Sequence, residues 1–186
     1  MEAALGFARD RIVAVRVLES LANDSSAPIE QPARIPWAIE TASWRSFPRI
    51  TAFVYRELQS TGAMTLLGSV ELRRMLAEHY QQVEHDARVG EDLSGHRRFE
   101  AATAGLLTVD ELIAVEKASG ESFELQISPE RARALAAAFA QRHLAIAELP
   151  GLAQHHTFNL RVIGDMQRRA GELMELIEHL EGEAGR

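Results

Sequence analysis

The fold of this 186-residue chain is decided by residues 152–180, which read LAQHHTFNLRVIGDMQRRAGELMELIEHL. Side chains in this stretch follow one another in alternating steps of four and three residues, a stripe that we call the heptad seam: Leu152, His156, Asn159, Ile163, Met166, Ala170, Leu173, Ile177 and Leu180. Such steps lie on one face of an α-helix, and a sustained seven-residue repeat is typical of helices that pack along a partner. The stretch therefore predicts a helix about 43 Å long, packed side by side with another long helix.

The Pro150-Gly151 pair comes directly before this seam and decides where its partner lies. Ser128-Pro129-Glu130 is a strong helix start, and the helix that it opens should run to about Glu148. A tight reversal at Pro150-Gly151 would fold the two helices into an antiparallel hairpin, whereas a kink would leave one bent rod. We predict the hairpin, because it gives the seam a partner within the chain. A second copy of the chain is the alternative partner.

Composition and charge narrow the possible functions. The formal net charge is -7, and the basic residues are scattered arginines apart from the single lysine, Lys117. Nucleic-acid and anionic-membrane surfaces need clustered positive charge, so neither is an expected partner. The absence of cysteine excludes disulfides, thiolate metal sites and cysteine nucleophiles. No window approaches the length of apolar sequence that a membrane span needs, so we expect a soluble chain.

The rest of the pattern predicts one all-α domain, an elongated bundle of five or six helices. Residues 1–24 form an amphipathic helix, and residues 25–36 form a proline-rich linker that contains Pro28, Pro32 and Pro36. The helical middle covers 37–120, and the C-terminal hairpin covers 128–184. Thr108-Val109-Asp110-Glu111 has the spacing of a capping box. Residues 122–127 alternate apolar and polar side chains, but with no second strand to pair with them we expect an extended connector.

A search for catalytic motifs finds none. Gly-x-Ser-x-Gly, the phosphate-binding glycine motifs and the Glu-x-x-His and His-x-x-x-His metal spacings are all absent from the sequence. If the protein were an enzyme, the first candidate catalytic residues would be Glu78, His79, Glu84 and His85. We expect these side chains to lie on solvated helix faces. We therefore predict a protein that is not an enzyme, with no metal site and no cofactor.

Two polar residues interrupt the heptad seam and provide the candidate ligand site. His156 and Asn159 stand where the repeat calls for apolar side chains, and Arg142 and His143 would lie opposite them if the hairpin forms. A buried polar group without a partner costs about 1–3 kcal/mol, so these four residues should contact one another, water or a ligand. Alternatively, the polar pair sets the register of the helices, or the seam begins only at Ile163 and leaves His156 exposed.

One part of the chain resembles a known family. The resemblance rests on three stretches, YRELQSTG (55–62), LL (66–67) and ELRRMLAEHY (71–80). They are similar to a family of uncharacterised bacterial proteins in which one N-terminal membrane span precedes a helical domain. In physical terms, Tyr55 and Leu58 would anchor one helix, Gly62 would turn the chain, and Ser69 would cap the next helix with Glu71 in its first turn.

The resemblance implies a location and a partial function. It places the helical domain on the periplasmic face of the inner membrane, although this sequence has no span; without the resemblance a cytoplasmic location is expected. It implies no catalytic residues. Our leading hypothesis is a non-enzymatic helical interaction or scaffold domain, the soluble part of a membrane-anchored bacterial protein, which binds a protein partner or a second copy through the seam. The alternative is a helical-bundle sensor that binds a small molecule at His156 and Asn159.

Overall fold

The structure, a computed structural model, describes residues 2–25, 28–44, 52–92, 95–118 and 125–184. These residues form eight α-helices and one 3-10 turn, and none of them lies in a strand. The helices are α1 (Glu2–Asn23), α2 (Arg34–Thr41), α3 (Phe53–Ser60), α4 (Val70–Asp92), α5 (His96–Thr103), α6 (Val109–Ala118), α7 (Pro129–Ala140) and α8 (His143–Ala184), and the 3-10 turn is Ala63–Leu66.

The all-α prediction is confirmed, but the predicted five or six helices are too few. Helix α5, which the sequence pattern did not predict, contains only eight residues, too few for a periodic pattern to stand out in the sequence. Helix α2 begins at Arg34, so the end of the predicted linker is helical. Proline is tolerated there because Pro36 lies in the first turn, where backbone N–H groups have no partner within the helix. The predicted connector at 122–127 lies partly outside the described residues, and 125–128 form no regular structure.

The predicted hairpin at Pro150-Gly151 is wrong. Helix α8 runs through both residues for 42 residues in all, about 63 Å at 1.5 Å per residue, and the helical break lies earlier, at Gln141 and Arg142. Proline inside a helix removes one hydrogen bond and costs about 3 kcal/mol. Leu149 and Leu152, on either side of it, are buried in the core, and each contributes about 1.5–3 kcal/mol. This packing outweighs the cost, and the proline itself faces solvent.

The main core is built where α1, α5 and α7 pack on the first half of α8, with α2 packed on α1 and α7. Its largest fully buried side chains include Leu18 of α1, Phe99 of α5, Leu135 and Phe139 of α7, and Leu152 of α8. Most of the remaining core positions are alanine or β-branched residues, which allow the helices to approach closely. The sequence stretches that form these helices are far apart in the chain, so the core closes only when both ends of the chain meet.

A second, smaller core joins α4 to the second half of α8. Val83 of α4 packs with Val162 and Met166 of α8, and Phe158 covers this group. Helix α3 lies on α4 through Tyr55 and Tyr80, whose rings are stacked with centroids 4.4 Å apart. This small core extends the bundle along α8 beyond the main core.

The local expectations for residues 55–80 are met. Tyr55 is buried and Leu58 is half-buried. Gly62 has φ +73°, a left-handed conformation that favours glycine. The Ser69 hydroxyl accepts a hydrogen bond from the Leu72 backbone N–H at 3.2 Å, with Glu71 in the first turn of α4. The capping box at 108–111 also forms, because Thr108 and Glu111 exchange backbone-to-side-chain hydrogen bonds.

The heptad seam is covered by the chain itself over most of its length. It is buried from Leu152 to Leu173, apart from a half-buried Ala170, and the elements that cover α8 are α1, α5 and α4. Beyond Leu173 the seam emerges, since Ile177 is 39% exposed and Leu180 is half-exposed. Among the described residues, no helix combines the length and the apolar character needed to cross a membrane.

Candidate functional site

The chain leaves α2 through a buried turn whose backbone carbonyls need partners. Ala42 and Ser43 are almost completely buried, and the turn is closed by a hydrogen bond from the Trp44 N–H to the Thr41 carbonyl. Water cannot reach carbonyl groups in such a position, so each must find a donor within the protein. The donors come from outside α2.

Three side chains on three other helices donate to three consecutive carbonyls. His156 Nε2 of α8 lies 2.7 Å from the Ala42 oxygen, and His96 Nδ1 of α5 lies 2.6 Å from the Ser43 oxygen. Arg11 Nε of α1 donates to the Trp44 oxygen at 2.9 Å. The end of α2 is therefore tied to α1, α5 and α8 at one place, which explains why polar groups stand in the middle of an apolar core.

The imidazole rings of this site contact one another and form what we call the histidine cluster: His96, His155 and His156. Their centroids are 4.5–5.7 Å apart, and the rings meet edge to face. Because a carbonyl only accepts, His156 carries its proton on Nε2 and His96 carries one on Nδ1. The Asn159 amide nitrogen donates to His155 Nε2 at 3.0 Å, which orients the third ring.

Burial keeps His156 neutral. Desolvation lowers the pKa of His156 to about 4, the hydrogen bond to Ala42 acts against this, and the nearby His96 ring and Arg11 guanidinium lower the pKa further. Burial also lowers the pKa of the Arg11 guanidinium, which lies over the ring of Phe7. The described residues contain no group of three or more His, Asp or Glu side chains placed to hold a metal ion. The chemistry visible in the cluster is hydrogen bonding to the α2 turn.

The structure brings together only two of the four predicted site residues. His156 and Asn159 are each 1% exposed and lie in the cluster. Arg142 and His143 are exposed at the beginning of α8. Because α8 is continuous, the 13 residues from His143 to His156 separate them by about 20 Å along the axis. The predicted contact of Arg142 and His143 with the polar pair of the seam required the hairpin, so it does not form.

Sequence reasoning missed His96, His155 and Arg11. The adjacent pair His155-His156 was a visible signal, but only one of the two falls on the heptad seam. No pattern in the neighbouring sequence marks His96 or Arg11, because the carbonyl groups that they bind lie on a turn that is distant in the chain. Of the enzyme suspects, Glu78 and Glu84 form exposed ion pairs with Arg74 and Arg56, His85 is exposed, and His79 is half-buried.

The far end of α8 has a different character, and we call residues 172–183 the acidic end. It carries five exposed glutamates and neither lysine nor arginine: Glu172, Glu175, Glu178, Glu181 and Glu183. Two apolar side chains are exposed among them, Met174 at 62% and Ile177 at 39%. Leu173 is the last buried side chain before the helix extends into solvent.

Comparison with known proteins found no matching family model, no similar curated protein and no similar solved structure. The membrane-anchored family suggested by residues 55–80 therefore stays a prediction.

Proposed function

We propose that this protein is a non-enzymatic helical interaction domain, and that the acidic end of α8 binds a basic amphipathic helix of a protein partner. The observation that carries the proposal is the emergence of the heptad seam after Leu173, where apolar side chains and glutamates are exposed together. If the chain is part of a membrane-anchored protein, as the resemblance implies, this end lies on the periplasmic side.

The continuity of the seam supports a helical partner. Leu173, Ile177 and Leu180 keep the four-then-three spacing of the buried part, so they lie on the same stripe that α4 covers further back along α8. A heptad stripe is stabilised when a second helix inserts its side chains between those of the first. Exposed Met174 widens the apolar surface beside this stripe, and methionine adapts readily to a partner surface.

The charge of the acidic end selects the kind of partner. Five glutamates flank the stripe, and His179 is the one other titratable side chain between 172 and 183. Two copies of the chain would bring ten carboxylates together, and like charges across a helical interface destabilise it. A helix with lysine or arginine beside its apolar positions would instead form ion pairs along both edges. Charge complementarity thus favours a basic partner over a second copy.

A peptide-binding experiment tests this proposal. The probe is a synthetic heptad peptide with leucine at the seam positions and lysine at the flanking positions, and its matched control carries glutamate in place of lysine. By fluorescence anisotropy, the lysine peptide should bind the full chain and the glutamate peptide should not. Ile177→Gln should weaken binding about tenfold, while Leu144→Gln, at an apolar position on α8 that is 77% exposed, should leave it unchanged.

Two outcomes would overturn the proposal. Equal binding of the lysine peptide to the native chain and to the Ile177→Gln variant would show that the acidic end is not the docking surface. A concentration-dependent dimer in light scattering, abolished by Ile177→Gln, would make a second copy the occupant in place of the basic helix.

A further inference from the structure

A cavity of about 360 Å³ lies between α4 and α8, on the side of the small core that faces the acidic end. Its walls combine apolar and polar groups. Met75 of α4 and Leu173 of α8 provide apolar surface, and His79 and Arg169 bring nitrogen atoms from the two helices. A cavity of this volume is large enough to hold a small molecule.

Two of these nitrogen atoms are buried and have no hydrogen-bond partner in the part of the chain that the structure describes. They are His79 Nδ1 and Arg169 Nη1. A buried donor without an acceptor costs about 1–3 kcal/mol, and more for a charged group. Arg169 Nη1 can only donate, and His79 Nδ1 donates when it carries the ring proton. On opposite walls of one cavity, these two groups point to an acceptor that enters from outside the protein.

The two carboxylates that line this cavity already form ion pairs with arginines other than Arg169. Glu78 pairs with Arg74 at 2.6 Å, and Glu172 pairs with Arg168 at 2.7 Å. Among the described residues, Arg169 forms no ion pair. Its uncompensated charge also acts on His79, because burial and the positive Arg169 together lower the pKa of this imidazole below its usual value. An anion between them would offset the charge of Arg169 and offer an acceptor to both groups.

We propose that this cavity binds a small organic monocarboxylate. The planar guanidinium of Arg169 matches a carboxylate, and it binds one more strongly than a neutral acceptor. His79 donates from Nδ1 to the same group. Met75 and Leu173 contact the apolar part of the ligand. Of the two arginines that line the cavity, Arg168 already pairs with Glu172, so Arg169 alone is available to offset a negative charge. This favours a monoanion over a dianion or a phosphate.

Benzoate is the probe for this site, and benzamide is its neutral counterpart of nearly equal shape. In calorimetric titrations of the full chain at constant ionic strength, benzoate should bind saturably, with benzamide at least tenfold weaker. Arg169→Gln should weaken benzoate binding at least tenfold. Arg161→Gln is the matched control, because Arg161 is an exposed arginine on the same helix that does not line the cavity; this variant should bind benzoate as the native chain does.

A nuclear magnetic resonance titration of the native chain makes the test independent of how the variants fold. The ring nitrogen signals of His79 should shift saturably with benzoate, while those of the exposed His143 should not. Equal binding of benzoate and benzamide, unchanged binding by Arg169→Gln, or a His79 signal that does not move would each overturn the proposal.

Discussion

At the scale of single residues, His156 should make the stability of the protein depend on pH. Its pKa is about 4 in the folded chain and about 6.5 when unfolded, so the unfolded state binds the proton first as the pH falls. The stabilisation is complete above about pH 6.5 and is lost progressively towards about pH 4, at about 1.4 kcal/mol per pH unit. Chemical denaturation of the native chain between these two values measures the loss.

Two variants isolate this histidine from the other titrating groups. His156→Gln keeps an N–H donor for the Ala42 carbonyl but cannot be protonated, so its free energy of unfolding should fall less steeply over the same range. His143→Gln, at an exposed position, should follow the native curve. Equal slopes for His156→Gln and the native chain would show that His156 does not carry the effect.

Glu111 is the second residue whose protonation state should make the stability depend on pH. It accepts two hydrogen bonds from Arg131 of α7, each 2.7 Å long, and these bonds lower the pKa of Glu111 to about 2. Arg131 also donates to the Leu106 carbonyl. Because part of this pair faces solvent, Glu111→Gln should cost about 1 kcal/mol at neutral pH.

Protonation of Glu111 at low pH should remove the stabilisation that its bonds to Arg131 provide. The stabilisation is present above the unfolded value of about 4.5 and is lost as the pH falls towards about 2. Urea titrations at neutral pH compare the variants, with Glu116→Gln on the exposed face of α6 as the control. A loss at Glu116 as large as that at Glu111 would contradict the specific role of the ion pair.

At the scale of elements, the continuity of α8 makes a prediction about Pro150 and Gly151. Pro150→Ala restores the hydrogen bond from residue 150 to the Ile146 carbonyl, so it should raise the free energy of unfolding by about 1–3 kcal/mol. Gly151→Ala should add about 1 kcal/mol, because a Cβ there meets no atom within 4 Å. Thermal unfolding of both variants measures these gains. Destabilisation by both would indicate a turn at this place.

At the scale of the whole molecule, the last part of α8 should matter for binding and little for folding. A chain that ends at Met174 keeps every buried residue of both cores, so its free energy of unfolding should fall by less than about 1 kcal/mol. It should no longer bind the lysine peptide. A chain that ends at Leu160 loses the buried Ile163 and Met166 and should not fold. Circular dichroism during heating distinguishes these two shortened chains. A large loss of stability in the chain that ends at Met174 would show that residues after Met174 belong to the core.

The local features of the fold were predictable because they depend on neighbours in sequence. The capping box at Thr108 and Glu111, the turn at Gly62 and the stripe from Leu152 to Leu173 each need only a few adjacent turns of chain. The candidate site was only half predictable. His156 and Asn159 stood out as polar breaks in an apolar stripe, but the carbonyl that His156 binds lies on a turn more than 110 positions away in the chain.

The sequence by itself determined the helical class, the long C-terminal helix and the apolar stripe along it, since helical periodicity is a property of consecutive residues. Tertiary structure alone decided that Pro150 lies inside α8, because the penalty at one residue competes with the burial of Leu149 and Leu152 against distant helices. It also decided what the histidines do. The carbonyls that they bind become buried only when α1, α2, α5 and α8 pack together. No local sequence pattern predicts which helices pack at this place.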